Sequence, residues 1–288
     1  MIDIDIIIHV EDGYKKAKDL ITSIYKEQKV VVKKIVVALT SKNNDEENRF
    51  KEFCKEKGVF LFEIESWYFS SSLTIQRAIR HYCNRDIVVV LNQNIKLIRT
   101  DSLYNLVKDI ASKKCAYTFG RQIVKKNGLE KLLFNELFRA SPLVINSDNY
   151  DELKKETYSA LIAYFALDRN LFLKLNGYQD YEHLLEANAY YMRKLIDGGY
   201  ALRYSSESLV ENPYRLTKTH VHDCYFYLAK FMAKNESMAS YKDNNNPRLR
   251  GILAKKLLKH GNFIGLIRMG CYKIVKKRAE IKVRKINL

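Results

Sequence analysis

Residues 87–94, Ile-Val-Val-Val-Leu-Asn-Gln-Asn, constrain this chain more than any other stretch. Five apolar residues, four of them β-branched, run without a polar break into three carboxamides. A run of that length with no wet face predicts a strand covered on both sides of a sheet. Its polar triplet sits at the C-terminal end, where open α/β sheets hold their ligands.

The segments around it alternate. Residues 2–10, 34–39 and 59–64 read as strands, and 14–27, the stretch ending at Lys57, and the stretch opening at Ser70-Ser71-Ser72 read as helices. The sequence therefore predicts β-α-β-α-β-α-β, which means a mostly parallel sheet with helices on its faces. Further on we expect a helix over 101–112, a strand over 115–120 and a mobile, partly helical stretch over 123–157. A strand over 160–166, a short helix over 168–175 and an amphipathic helix over 184–197 follow. Two short strands at 200–204 and 209–211 and an aromatic-rich helix over 217–234 complete the body. Residues 242–247, Lys-Asp-Asn-Asn-Asn-Pro, read as a linker. Two basic helices, 248–260 and 263–279, end the chain.

Composition narrows the class. The 288 residues are 47% hydrophobic with only 3 Pro and 11 Gly, as expected of a globular chain without low-complexity linkers. The five cysteines are scattered, with no C-x-x-C pair, so they predict reduced thiols rather than a zinc site or disulfide framework. Asp3 and Asp5 interrupt the apolar N-terminus, which reads as a strand and not a signal peptide. No apolar run reaches the ~18 residues of a spanning helix. The net charge of +17 is uneven. From Arg248 onward thirteen Lys and Arg residues face one acid, Glu280, so this tail supplies +12 of it.

The order of several blocks resembles the family 2 inverting glycosyltransferases of GT-A fold, and within them the bacterial rhamnosyltransferase branch. Phe69-Ser70-Ser71-Ser72-Leu73-Thr74 resembles that branch's F-S-H-G-G-T, and Val89–Asn94 falls where it has an apolar strand ending in T-Q-D. Tyr117–Gln122 is similar to its Y-G-R-Q. Ala166–Phe172 with Leu175-Asn176-Gly177-Tyr178 is similar to A-x-R-R-x-x-F then L-G-G-F. Lys194–Tyr200 is similar to R-L-L-x-A-G-Y. The basic tail, with Leu257–His260 and Gly270–Lys273, resembles the branch's C-terminal helices. The expected architecture is an α/β GT-A domain over residues 1–241, with linker and basic helical segment over 242–288.

The resemblance assigns roles. Asn94 matches the aspartate that holds Mg²⁺ or Mn²⁺. A neutral amide is a poor ligand for a hard cation, so the expectation is a weak or absent metal site, with a metal-independent diphosphate site or a plain strand-end turn as the readings. Counting back from Tyr200, Ala187 and Asn188 fall on the carboxylate pair that contains the base. Glu186, one residue earlier, is the expected catalytic base, and a shift of one residue turns a helical side chain by about 100°. Asp12 and Gln93 join Asn94 as donor-binding candidates, although Asp12 serves equally as a helix N-cap. Arg121 and Gln122 match best, Arg121 reading as a ligand for a phosphate or carboxylate or as a structural ion pair. At the end of the second strand, Ala38–Ser41 lacks the acidic residue that many members have there. The turn at Glu211-Asn212-Pro213-Tyr214 lacks the branch's histidine. His220 and His222, two apart on a helix, diverge and read as solvated or capping.

Residues 248–285 alternate cations with apolar residues, the pattern of an interfacial helix. They predict attachment to an anionic membrane surface, with a tail packed on the domain as the other reading. Nucleic acid is not expected, since no nucleic-acid motif is present. The resemblance implies a nucleotide-sugar donor, rhamnose among its sugars, and a lipid-linked or polysaccharide acceptor in a bacterial surface glycan such as capsule, O-antigen or cell wall. The protein would then be cytoplasmic and peripheral at the inner face of the cell membrane, with a homo- or hetero-oligomer allowed. The departures at four motif positions define the other hypothesis, a catalytically degenerate GT-A module that partners an active transferase.

Overall fold

The computed structural model describes residues 1–65, 70–149, 163–213, 215–234 and 247–286. Its first half follows the expected alternation: β1 (Ile2–Val10), α1 (Tyr14–Ile24), β2 (Val30–Ser41), α2 (Asp45–Glu56), β3 (Phe60–Glu65), α3 (Ser71–His81) and β4 (Ile87–Asn92). Then come β5 (Lys96–Leu97), α4 (Ser102–Ala111), β6 (Tyr117–Ile123), α5 (Leu129–Leu137), β7 (Leu143–Ile145), β8 (Tyr164–Asp168), α6 (Arg169–Lys174), α7 (Leu184–Asp197) and β9 (Leu202–Glu211). Helices α8 (Lys218–Lys234), α9 (Pro247–Lys259) and α10 (Phe263–Ile286) close the chain.

Nine strands form one sheet in the order β3-β2-β1-β4-β8-β6-β9-β5, with β7 also on β9. Strands β1, β2, β3, β4, β6 and β9 run one way, and β5, β7 and β8 run against them. The sheet is thus mostly parallel, with an antiparallel strand wedged between β4 and β6. From β1 the chain crosses through α1 to β2 on one side, while β4 lies on the other. The connections therefore diverge between β1 and β4, and a crevice opens beyond their C-terminal ends.

β4 is sealed as its composition predicts. Val88 and Val90 pack into the layer that holds α3, α6 and α7. Ile87, Val89 and Leu91 pack into the opposite layer with α1, α2 and α4. Burying each such side chain contributes about 1.5–3 kcal/mol. Asp5, which interrupts the apolar β1 in sequence, is itself buried. Its carboxylate accepts the Asn84 and Arg85 amides at 2.6 and 2.9 Å and so fixes the turn that leads into β4.

Three expectations change. The two short strands at 200–204 and 209–211 are one strand, β9, whose pairing slips between Gly120–Ser205 and Arg121–Leu209. The hydroxyls of Ser205, at the edge of the bulge, and of Ser208, within it, turn inward onto the Asn105 and Ser102 carbonyls, so the polar run that looked like a break belongs to the strand. The stretch from 123 onward contains α5 and β7, with 150–157 outside the described residues. β8 starts at Tyr164 rather than 160, and 160–162 likewise lie outside. Of the expected linker 242–247, all but Pro247 lies outside them. Helices α9 and α10 pack onto the body: Arg268 pairs with Glu130 on α5 at 2.5 Å and donates to the Leu216 carbonyl at 2.8 Å.

Gly120 sits where β6 presses on β8. A Cβ there would lie 2.3 Å from the Tyr164 ring and 2.9 Å from the Ser208 carbonyl. Tyr164 is fully buried and held through its hydroxyl to the Ser102 carbonyl, so it has no room to yield. We expect Gly120→Ala to lower folding stability by about 1–3 kcal/mol, read as a lower urea midpoint at unchanged slope.

Candidate functional site

The β1–β4 crevice gathers three of the candidates. Gly13, in the left-handed region at φ +64°, ends the loop after β1 and opens α1. The tight turn brings Glu11 and Asp12 over the end of β4. Gln93, buried, accepts the Glu11 amide at 3.2 Å and donates through Nε2 to Asp12 Oδ1 at 3.1 Å. Asp12 is therefore bound across the crevice to Gln93, while Gly13 holds the N-cap position and no side chain caps α1. Lys42, from the end of β2, lies 3.9 Å from the other Asp12 oxygen. Asn94 is half-buried, and its Oδ1 accepts a hydrogen bond from the Lys16 ammonium at 3.1 Å.

The end of β2 is polar but organised. His9 Nε2 and Thr40 Oγ1 lie 3.0 Å apart. Burial lowers the His9 imidazole to about 4, so the ring is neutral at neutral pH. Glu47 in the first turn of α2 is fully buried and ties down the following loop. It accepts the Lys42 and Asn43 amides at 2.6 and 3.0 Å and the Ser41 hydroxyl at 2.8 Å, and it pairs with Lys51 at 2.9 Å. Burial alone would raise its carboxyl. The Lys42 amide, Lys51 and Ser41 overcome that effect and hold it at about 2.

Glu186 lies in the first turn of α7 and is only 2% exposed. Its Oε1 is buried without a hydrogen-bond partner. Burial raises its carboxyl against the pull of Lys230 and Lys234, and Glu182 raises it further. The start of α3 sets the position of this helix. Ser70 donates to the Glu182 carbonyl at 2.7 Å, Ser72 to the Tyr181 carbonyl, and Ser71 accepts the Leu184 amide at 3.0 Å. The three serines thus do more than cap α3, although Ser70 does cap it through the Leu73 amide. Asn188, two residues beyond Glu186, accepts the Tyr178 hydroxyl at 2.8 Å inside the core.

Arg121 and Gln122 stand at the end of β6, on the same edge of the sheet. Gln122 is buried and accepts the Asn212 amide at 2.8 Å. Arg121 is half-buried, enters none of the ion pairs among the described residues, and leaves Nε buried without a partner. No hydrogen bond among the described residues links Glu186 to the Asp12–Gln93 pair. His220 Nδ1 lies 3.2 Å from the Arg215 carbonyl at the start of α8, and His222 sits 3.0 Å from Asp223. Phe69 and Tyr214 lie outside the described residues.

The sequence reading passed over four groups: His9, Lys16, Glu47 and the reach of the serines into α7. Two had signals. Asn44-x-x-Glu47 is a capping-box spacing. Lys15-Lys16 puts two cations in the first turn of a helix, where the dipole favours anions.

The residues after β4 do not fit a divalent cation. The donor set offers amides, and the oxygen of Asn94 already faces an ammonium. Among the described residues no group of three or more His, Cys, Asp or Glu side chains is placed to hold a metal ion.

A mostly parallel sheet that opens at the β1–β4 switch point, with an antiparallel strand wedged between β4 and β6 and helices on both faces, is the architecture of the GT-A glycosyltransferase fold. The chain adopts that fold. It resembles the mannosyltransferase PcManGT from Pyrobaculum calidifontis, solved with GDP-Man and Mn²⁺, at TM-score 0.62 and 15% identity over 99% of this chain and 86% of that one. It also resembles GalNAc-T7, solved with UDP, GalNAc and Mn²⁺, at TM-score 0.59 and 15% identity over 88% of this chain and 55% of that one. In sequence it is 25% identical over 179 residues to the O-antigen chain rhamnosyltransferase RfbN of Salmonella typhimurium. That match covers 62% of this chain and 57% of RfbN, a little over half of the relative. No protein-family model matches the chain.

We expect Glu47→Gln to cost about 1.5–3 kcal/mol at neutral pH. The native carboxyl is lowered, so its contribution is full above about 4.5 and is lost as pH falls toward about 2. Urea unfolding of both proteins across that range should show the gap closing with acid.

Proposed function

We propose that the protein is a family 2 inverting glycosyltransferase that moves a sugar from a nucleotide-activated donor onto a growing bacterial surface glycan. The observation that carries this reading is the buried Glu186, with an unpartnered oxygen and a raised carboxyl, on the helix that follows the switch-point sheet. A general base works best with its pKa near the operating pH, and burial moves Glu186 in that direction. The likeness to RfbN supports rhamnose as the sugar and an O-antigen-type, lipid-linked acceptor.

The chemistry is a single displacement. Glu186 accepts the proton of an acceptor hydroxyl as its oxygen attacks the anomeric carbon. The bond from that carbon to the diphosphate breaks, and the diphosphate leaves with the electron pair on the opposite face, inverting the configuration. Asp12 and Gln93 hold the donor at the crevice. Arg121, with its free buried N–H, holds a phosphate or an acceptor carboxylate bidentately. Gln122 fixes the end of β9 beside it through Asn212. Asn188 positions α7 through Tyr178 and does not touch the reacting atoms.

A lipid-linked acceptor calls for a membrane surface, and α10 supplies a face for it. No helix among the described residues is long and apolar enough to cross a membrane. Instead Phe263, Ile264, Ile267, Ile274 and Ile281 are exposed, Ile264 to 74%. Ile267, Ile274 and Ile281 recur at seven-residue spacing, with exposed Lys273, Lys277, Arg278 and Lys282 beside them. Such a face suits an anionic leaflet, where each cation contributes about 1 kcal/mol. A second copy of the same face would oppose like charges. On this reading residues 1–241 form the transferase domain and 242–288 its membrane-seating segment, at the cytoplasmic face.

Two measurements test these claims. In a transfer assay with a rhamnose-type nucleotide donor and a lipid-linked acceptor, Glu186→Gln should reduce kcat about 10²–10⁴-fold while leaving the melting temperature equal or higher. The wild-type rate should fall as pH drops through the raised Glu186 value, because the base must be ionised. Glu186→Gln with full activity removes Glu186 as base, and binding of a nucleoside diphosphate without any transfer would point to the non-catalytic module. In co-sedimentation, the protein should pellet with phosphatidylglycerol vesicles and not with phosphatidylcholine ones. The double variant Ile267→Glu and Ile274→Glu should stay in the supernatant, and equal pelleting would refute the membrane face.

A further inference from the structure

The donor side of the crevice carries a cation of its own. Where a metal-binding carboxylate would stand, Asn94 is neutral, and its oxygen receives the Lys16 ammonium at 3.1 Å. Lys16 lies on the first turn of α1, three residues after the left-handed Gly13. It reaches across from the β1 side of the crevice to the β4 side. A second ammonium, Lys42, stands at the β2 side, 3.9 Å from Asp12. The cluster of Asp12, Lys16 and Lys42 with Gln93 and Asn94 carries two cations and one anion.

This arrangement is locally costly. The first turn of α1 holds no acidic residue and two lysines, against the positive end of the helix dipole. An exposed helix with free choice of sequence would place Asp or Glu there. Local rules broken in this way are expected at functional positions. The compensation available at this position is an anion in the crevice, held by the ammonium, by the helix end and by the Asn94 and Gln93 amide groups as hydrogen-bond donors.

We propose that Lys16 takes the place of the divalent cation: the crevice binds the nucleoside diphosphate of the donor directly through the Lys16 ammonium, without metal. This deepens the transferase reading and rests on it. In the ground state Lys16 donates to a phosphate oxygen in exchange for Asn94. As the bond from the anomeric carbon to the diphosphate breaks, the electron pair stays on the leaving diphosphate, and the Lys16 ammonium stabilises that charge. An aspartate at position 94 would ion-pair with Lys16 and neutralise it. The amide instead holds Lys16 in place while leaving its charge available for the phosphate.

The test is binding of GDP, UDP and dTDP to the full chain by isothermal titration calorimetry, in EDTA and in Mn²⁺, at low ionic strength. We expect at least one diphosphate to bind in EDTA with a Kd that Mn²⁺ changes by less than about twofold. Lys16→Ala should weaken it about ten- to a hundredfold, the range for one hydrogen bond to a charged group. Lys16→Arg should retain most of the affinity, and Lys15→Ala, which removes an equal charge one residue away, should change it by less than about twofold. Circular dichroism melts of each variant separate loss of binding from loss of fold. Binding that requires Mn²⁺, or Lys16→Ala binding as the wild type does, overturns the proposal and leaves the transferase reading intact. Failure of all three diphosphates in both conditions overturns both.

Discussion

The structure depends on β4 being apolar on both faces. A strand sealed between two helix layers cannot place a polar side chain along its length without a buried partner. Its polar residues are therefore confined to its ends, and in this chain Asn92, Gln93 and Asn94 emerge together where the parallel strands stop. β1, paired in parallel with β4, ends beside them, with His9 in register with Asn92. The crevice is thus a product of packing. The core decides where the sheet must become polar, and the crossovers from β1 and β4 to opposite sides decide that this edge is open. The Gln93 amide then joins the two strand ends by accepting from one neighbour in the β1 loop and donating to the next.

The charge of the crevice follows from these strand ends. The three amides at the end of β4 and just after it leave Asp12 as the acid in contact with Gln93, and Asp12 already has Lys42 close by. Carboxylates at positions 92–94 would suit a hard cation. Amides with two nearby ammonium groups suit an anion. Solvent screens these exposed lysines, so their effect is local to a ligand that excludes water, as a bound diphosphate does.

Much of this was legible in the sequence, for identifiable reasons. The order of elements through β4 follows from periodicity, and the strand-end location of Gln93 and Asn94 follows from the apolar run itself. The joining of Asp12 to Gln93 across 81 positions was not, because it needs the register of two strands that are not neighbours in sequence. The serines at 70–72 read as the opening of a helix, as Ser70 is, yet their bonds to residues 181–184 depend on how α3 and α7 stack. β9 looked broken because its bulge turns serines inward, and a polar residue that faces a carbonyl in the core cannot be told from a loop residue by pattern alone. Glu186 reads from the sequence as the expected base, but its burial in the first turn of α7 does not. Its burial comes from α8, whose approach no local signal announces.

That approach also explains α8. Its aromatic residues are distributed around the helix because it has a neighbour on two sides. Toward α7, the Tyr227 ring stacks on His183 at 3.7 Å, and Lys230 and Lys234 act on Glu186. Toward α10, Lys276 lies over the Tyr225 ring at 4.6 Å and Lys282 over Phe226 at 5.3 Å. Aromatic faces accept cations on one side and pack flat on the other, so one helix serves both the acidic helix start and the basic tail. Burial raises the Glu186 carboxyl, and α8, seated against α7, pulls the other way through Lys230 and Lys234. The same seating leaves the isoleucines of α10 facing outward, since its other face is occupied by α8. Helix α8 thus lies between the helix that carries the buried acid and the helix that carries the exposed basic-apolar face.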